Sequence, residues 1–184
     1  TVVRGYEAFG YTGSEDPRGA DIAREHFSLF LRAIEGEGLA ERDPYSPFGG
    51  GTGLQRIEPH SPGLRSRIWW GAGNRDSAEW AGTVGVNLMS STLLTEADGT
   101  PFDVLQAQQI DAFRGAWTAA GHPGEPRVSV SRSIFPITTA EEARYFGGGA
   151  GDDQIGVIDG IRSTFGKTYA AEPDALVEQL RQDE

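Results

Sequence analysis

The fold is decided by the stretch Ile68-Trp69-Trp70-Gly71-Ala72-Gly73-Asn74-Arg75-Asp76-Ser77-Ala78-Glu79. Its first half is a near-continuous apolar run, which is typical of a strand buried on both faces of a parallel sheet. Asp76 and Glu79 have the spacing of a capping box, so we expect a helix over 77–84 that is closed by Gly85. The stretch therefore predicts a strand, a glycine turn and the capped start of a helix.

The turn between this strand and this helix has the features of an anion site. Gly71 and Gly73 allow a sharp turn and the close approach of a ligand to the main chain. The unpaired N–H groups of a helix start favour a phosphate, and Arg75 and the Ser77 hydroxyl could donate further hydrogen bonds. Asp76 would repel a phosphate, so we expect its side chain to point outward. The alternative is a plain strand-to-helix turn whose glycines serve only packing.

Strand and helix patterns alternate along the chain, which predicts an α/β protein with parallel crossovers. The Pro- and Gly-rich segment 43–66 is expected to be a long surface excursion with a short strand at 54–57, either a functional lid or a tolerated insertion. We expect one domain over 1–184. Further predicted strands are 1–4, 86–90 and 127–137. Four other helices are predicted. The first starts near Pro17 and ends at Gly36 and Gly38, and the second covers 101–120 with Thr100 as N-cap. The third is short and is capped by Thr139 and Glu142, and the last starts at Pro173.

The composition excludes several classes of function. Among 184 residues, 27 acidic and 16 basic side chains give a formal net charge of -11, which argues against a nucleic-acid or anionic-membrane surface. The chain has no cysteine, and His26, His60 and His122 lie far apart, so we expect no metal site. With no long apolar run and no signal-peptide pattern, we expect a cytoplasmic protein.

Polar residues follow other predicted strands. Arg4 and Gly5 come directly after the first strand, and Ser90-Ser91-Thr92 ends the strand 86–90. Ligands of α/β proteins bind at the carboxyl ends of the strands, so Arg4 could face a binding site or be an ordinary surface residue. Arg132 interrupts a strand of apolar and small residues, and we expect a structural acidic partner in preference to a substrate anion.

These segments together resemble the bacterial luciferase-like monooxygenases, a superfamily of flavin-dependent TIM-barrel enzymes. Val2-Val3-Arg4-Gly5, followed by Phe9-Gly10, looks like the stretch around the family's fourth barrel strand, whose arginine holds the FMN phosphate. Ser77-Ala78-Glu79-Trp80-Ala81 with Gly85 looks like the pattern after a later strand, whose loop supplies further phosphate contacts. The resemblance covers nearly the whole chain in order.

The resemblance implies that the chain holds the later part of a luciferase-like TIM (β/α)8 barrel, from about strand 4 to the last helix. It implies that Arg4 and the main chain of Tyr6 meet the FMN phosphate from one side. Gly73, Asn74 and Ser77 would meet it from the other, and Ser91 would lie near the flavin ring. Gly73 and Asn74 stand where the luciferase loop has glutamate and serine, so backbone contacts must contribute more here. The predicted cofactor-binding residues are Arg4, Tyr6, Gly73, Asn74, Arg75, Ser77 and Ser91.

The implied function is a monooxygenase that uses reduced FMN and O2 to oxygenate a small organic substrate. A flavin reductase would supply the reduced flavin, since no GxGxxG fingerprint for a nicotinamide cofactor is visible, and the enzyme would be a homodimer. The catalytic residues are unknown. The family's first strands and its histidine near the flavin fall upstream of Thr1, so we interpret the chain as a barrel cut at both ends.

Other functions fit the same residues. A deazaflavin-dependent oxidoreductase would use the same fold and the same phosphate site. A flavin-binding protein without turnover would explain the missing first half of the barrel. A structural half-barrel that pairs with another copy of itself is a further non-enzyme alternative.

Overall fold

The computed structural model describes residues 19–41, 53–149, 154–158, 161–166 and 168–183. The chain divides into two compact units, 1–65 and 66–184. The prediction of a single domain over 1–184 stays a prediction. The predicted strand 1–4 and residues 43–52 of the predicted excursion 43–66 lie outside the described residues.

The first unit contains one long helix, α1, Gly19–Ile34. It buries Ile22, Leu31 and Ala33, in agreement with the helical spacing of its apolar residues. The helix ends at Ile34, and Gly36 follows it with a φ of 90° and donates its N–H to the Ala33 carbonyl.

The strand expected at 54–57 is reduced to a single antiparallel bridge between Ala40 and Gln55. The side chains of Leu54 and Ile57 are both more than half exposed. Because these apolar groups are only partly buried, little packing energy supports a longer pairing. The prediction of a strand here is wrong.

The second unit contains both strands and helices, but they do not alternate strictly as the sequence predicted, because two or three strands precede each of its last three α-helices. A 3-10 helix at Leu64–Arg67 precedes its first strand. The elements are β1 Trp69–Ala72, α2 Arg75–Val84, β2 Asn87–Ser90, β3 Leu93–Leu94, α3 Phe102–Ala119, β4 Val128–Val130, β5 Ser133–Pro136, α4 Ala140–Phe146, β6 Gln154–Ile158, β7 Ile161–Phe165, β8 Thr168–Ala171 and α5 Pro173–Arg181.

The strands form a mixed α/β structure. β1, β2 and β4 make one parallel sheet with β2 in the middle, and β5 pairs with β8 in parallel. β6 and β7 form an antiparallel hairpin, and β3 pairs with β7 in the antiparallel direction. The strands of the described ranges are divided among these three sheets and do not close into a barrel.

Two helices cover one face of the β1-β2-β4 sheet. Ala78 and Ala81 of α2 and Phe113 of α3 are fully buried. A Cβ added at Gly82 would overlap the carbonyl oxygen of Phe113 and lie 3.0 Å from the Ala116 Cβ, so the two helix backbones approach closely. The Trp70 and Trp80 rings lie 4.6 Å apart and join the sheet to α2.

The opposite face of this sheet carries exposed apolar groups. Trp69 is 37% exposed and Met89 is 46% exposed, whereas Leu88 is fully buried. The prediction that the apolar run of β1 is buried on both faces is therefore wrong within this unit. Side chains alternate between the faces of a strand, and α2 and α3 cover only one of them. The Arg127 guanidinium lies 5.0 Å above the Trp69 ring and shields part of it.

Two further predictions need correction. The helix α3 begins with Pro101 as N-cap and has no side-chain capping bond, so Thr100 does not cap it. The long strand predicted over 127–137 is interrupted at Ser131 and Arg132, because β4 pairs with β2 whereas β5 pairs with β8. The capping box of Thr139 and Glu142 is confirmed.

Candidate phosphate-binding turn

The helix α2 starts two residues earlier than the sequence suggests. Asn74 is its N-cap, and the Asn74 side chain accepts the N–H of Ser77 at 2.8 Å. The predicted capping box of Asp76 and Glu79 is therefore wrong. Asn and Asp are equally good N-caps, so Asn74 can replace Asp76 in this role. The earlier start places the exposed Asp76 carboxylate in the first turn, where its negative charge interacts favourably with the positive end of the helix dipole. Gly85 closes the helix with a φ of 71°, as predicted.

The start of α2 already binds an anion, the carboxylate of Glu96. Glu96 accepts the backbone N–H of Arg75 at 3.0 Å, and its other oxygen lies 4.0 Å from the Arg75 guanidinium. That guanidinium also donates to the side chain of Gln108 at 2.7 Å. The predicted anion ligands Arg75 and Ser77 thus have their N–H groups occupied from within the chain, by Glu96 and by Asn74.

Glu96 is held in place by its neighbours in sequence. Thr95 donates to the Gly73 carbonyl from its N–H at 2.7 Å and from its hydroxyl at 3.1 Å. The Glu96 carbonyl accepts the Thr164 hydroxyl of β7 at 2.7 Å. The segment 95–96 is therefore fixed between the turn and the β6-β7 hairpin, and only the carboxylate of Glu96 needs to turn away to vacate the Arg75 N–H.

Gly71 and Gly73, which the sequence predicted to shape the turn, are not required there by the backbone conformation. Gly71 lies inside β1 and not in the turn. Neither glycine is among the described glycines with positive φ. A Cβ at Gly73 would lie 3.8 Å from the Thr95 methyl carbon, and one at Gly71 would lie 3.8 Å from the Met89 Cε, which are ordinary contacts. The protein alone does not require glycine at either position.

Two glutamines of α3 fix the carboxyl edge of the sheet. Gln109 donates to the carbonyls of Ala72 and Asn74, both at 3.1 Å, and accepts the Ser90 hydroxyl at 2.6 Å. Gln106 donates to the Ser90 hydroxyl at 2.8 Å and to the Ser91 carbonyl at 3.2 Å. Both glutamines are 2% exposed, so their hydrogen bonds are shielded from water.

The remaining predicted residues are placed as follows. Ala72 pairs with Ser90, so Gly73 and Ser91 follow neighbouring strand ends. The Ser91 hydroxyl accepts the Leu93 N–H at 3.2 Å and is therefore used within its own turn. Arg4 and Tyr6 lie outside the described residues. The structure brings together Gly73, Asn74, Arg75 and Ser77 at one strand end, with Ser91 at the next.

Arg132 has the structural partner that the sequence predicted. It pairs with Asp183 through Nε and through Nη2, the latter at 2.8 Å, and this pair raises the pKa of the guanidinium. Tyr169 of β8 is 4% exposed, and burial together with a hydrogen bond to Asp183 raises its pKa to about 12. The cluster joins the chain after α5 to β8 and to the start of β5.

Sequence reasoning missed Glu96, Thr95, Gln106 and Gln109. The signal for the glutamines is present in the sequence, since two amides three residues apart lie on the same apolar helix face as Leu105 and Phe113. Glu96 has no such signal, because its partner Arg75 is 21 residues away. Acidic loop residues are usually solvated.

Within the described ranges, no helix is long and apolar enough to cross a membrane. No group of three or more His, Cys, Asp or Glu side chains in the same ranges could hold a metal ion.

Comparisons with known proteins do not identify a family for this chain. No protein-family model matches it, and no curated protein matches it. Among solved structures it is similar to a type II Baeyer-Villiger monooxygenase, the oxygenating constituent of 3,6-diketocamphane monooxygenase from the CAM plasmid of Pseudomonas putida, in complex with FMN. The identity is 19% and the TM-score 0.45, over 73% of this chain and 38% of that chain. A likeness of this size assigns neither a family nor an activity.

Proposed function

We propose that this chain is the later part of a luciferase-like, flavin-dependent monooxygenase barrel, and that its turn 73–77 holds the FMN phosphate. The observation that supports this most is the Glu96 carboxylate, which accepts the Arg75 N–H at 3.0 Å. This contact shows that the Arg75 N–H at the helix start is oriented to donate to an anionic oxygen. A phosphate oxygen would take the same donor once the Glu96 side chain turns away.

The position of the turn also supports the proposal. It follows β1 at the carboxyl edge of a parallel sheet, where α/β proteins bind their ligands. Ser77 is only half-buried, so its hydroxyl could reach a bound phosphate. Arg4 and the main chain of Tyr6 are proposed to contact the phosphate as well, and Ser91 to lie near the flavin ring.

The proposed reaction uses reduced FMN as the electron donor. The bound flavin supplies two electrons, so that one oxygen atom of O2 enters a small organic substrate and the other leaves as water. The chain's own part is to bind the phosphate and orient the flavin relative to the substrate. A flavin reductase is the proposed source of the reduced cofactor.

The test is a titration of the full chain with FMN and with riboflavin, which differ by the phosphate. We expect FMN to bind at least about tenfold more tightly, because charge-assisted hydrogen bonds to a phosphate are strong. Equal affinity for the two would overturn the phosphate site. A phosphorylated deazaflavin in the same titration decides the cofactor, since preference for it would replace FMN in the proposal.

Variants of Arg4 test the second side of the site. Arg4→Gln should reduce the preference for FMN over riboflavin, because it removes the proposed charged contact. The control is Arg181→Gln, since Arg181 forms an exposed pair with Glu178 far from the turn in sequence. Oxygen consumption by the flavin-loaded chain, with reduced FMN and a panel of small organic substrates, then tests turnover.

A further inference from the structure

The side-chain amide of Gln109 makes three hydrogen bonds, and all of them end at the carboxyl edge of the β1-β2-β4 sheet. Its Nε2 donates to the carbonyls of Ala72 and Asn74, and its Oε1 accepts the Ser90 hydroxyl. Gln109 is 2% exposed and Ser90 is fully buried, so water does not compete for these groups. One helix position thus joins the end of β1, the turn and the end of β2.

The orientation of the peptide group between Asn74 and Arg75 sets the direction of the first N–H groups of α2. The Asn74 carbonyl also accepts the Ala78 N–H at 3.3 Å, and the Asn74 side chain accepts the Ser77 N–H. A hydrogen bond from Gln109 to the same carbonyl therefore limits the rotation of this peptide. The Arg75 N–H belongs to this peptide and the Ser77 N–H bonds to the Asn74 side chain, so both depend on its orientation. The Arg75 N–H is the donor that an anion would meet.

We propose that Gln109 is the positioning residue of the phosphate turn: it fixes the turn 73–77 in the conformation that binds the phosphate. The identity of the anion rests on the proposed function, whereas the fixing of the turn does not. Preorganised donors bind an anion more tightly, because they lose less freedom when it binds. The affinity for FMN should therefore depend on a side chain that does not touch it.

Gln106 offers a matched control. It lies on the same face of α3, is also 2% exposed, and makes two hydrogen bonds to the end of β2. In the described part of the chain, none of these bonds reaches the turn. Replacing either glutamine removes a buried amide of the same size, so general destabilisation should be similar.

The experiment compares Gln109→Met with Gln106→Met in the full chain. Amide hydrogen exchange at Arg75 and Ser77 is measured without ligand, and the affinity ratio of FMN to riboflavin is measured by titration. We expect Gln109→Met to speed this exchange and to lower the ratio by about fivefold to tenfold, the factor for loss of two neutral hydrogen bonds. Gln106→Met should change both by about twofold or less, because it reaches Gln109 only through the shared Ser90 hydroxyl.

Two results would overturn the inference: unchanged exchange at Arg75 and Ser77 in Gln109→Met, or equal effects of the two variants. If Gln109→Met does not fold, Gln109→Asn replaces it, because a shorter amide stays polar but cannot reach both carbonyls. If the exchange responds as expected and the wild-type chain binds FMN no better than riboflavin, the positioning role stands and the proposed function falls.

Discussion

The Glu96 carboxylate accepts the backbone N–H of Arg75, so a side chain of the protein occupies the helix start at which we propose a phosphate. The Arg75 guanidinium, 4.0 Å from the same carboxylate, adds little to this contact at such a distance. Binding of a phosphate must therefore include displacement of Glu96. The side chain is 29% exposed, so it can turn toward solvent.

The first prediction concerns this displacement. Glu96→Gln should raise the affinity for FMN about threefold to fivefold, since it removes a charge that competes for the helix start. Asp98→Asn is the control, because it removes one negative charge from the same loop but caps the N–H of Thr100 and not that of Arg75. Titration with FMN measures both. Unchanged affinity in Glu96→Gln would show that the phosphate does not bind where Glu96 lies.

The second prediction concerns the space beside Gly71 and Gly73. Gly73→Ala should fold normally, because its Cβ would lie 3.8 Å from the Thr95 methyl carbon, but it should weaken FMN binding by about tenfold if the phosphate lies against Gly73. Gly71→Ala has equal room beside Met89 and should bind FMN as the wild type does. Thermal unfolding checks that both variants are folded. Equal binding by the two variants contradicts a phosphate at Gly73.

The third prediction concerns the packing of α2 on α3. Gly82→Ala should destabilise the protein by about 1–3 kcal/mol, because its Cβ would overlap the Phe113 carbonyl. Gly115→Ala, also in a helix but with nothing within 4 Å of its Cβ, should stabilise the protein by about 0.5–1 kcal/mol. Urea unfolding measures both changes. A neutral Gly82→Ala would show that the helices lie further apart than described.

The fourth prediction is a pH dependence at Tyr169. Its pKa in the folded protein, about 12, is higher than its ordinary value of 10.0 because burial and the hydrogen bond to Asp183 disfavour the phenolate. The folded state thus binds the phenol proton more tightly than the unfolded state does. The resulting stability is fully present below about pH 10 and is lost as the pH rises toward about 12.

Tyr169→Phe removes this titration. The stability of the variant should fall less than that of the wild type between about pH 10 and pH 12. Exposed Tyr145 provides the control, and Tyr145→Phe should follow the wild-type curve. The free energy of unfolding, measured in urea at several pH values, decides the outcome. Parallel curves for Tyr169→Phe and the wild type would exclude a raised pKa.

Local sequence signals predicted much of the second unit. The apolar run before Gly73, the left-handed cap at Gly85 and the capping box of Thr139 and Glu142 depend on neighbours within a few residues, and all of them are present in the structure. The error at Asn74 is of another kind. Two good N-caps stand two residues apart, and local propensity does not rank them.

The features that sequence reasoning missed depend on distant partners. The sequence predicted an acidic partner for Arg132 but not which residue it is, because Asp183 is 51 residues away. Gln109 reaches Ala72 across 37 residues, and β5 pairs with β8 rather than with the parallel sheet of β4. The turn 73–77 could thus be located from its sequence, whereas the side chains that hold and occupy it could not.

The central claim is that the turn 73–77 binds the flavin phosphate. The most direct measurement is a titration of the isotope-labelled full chain with FMN and with riboflavin, in which the backbone amide resonances of Arg75 and Ser77 are followed by NMR. We predict saturable shifts of both amides with FMN and none with riboflavin. Saturable FMN binding that leaves these two amides unmoved, or no FMN binding at all, would contradict the claim.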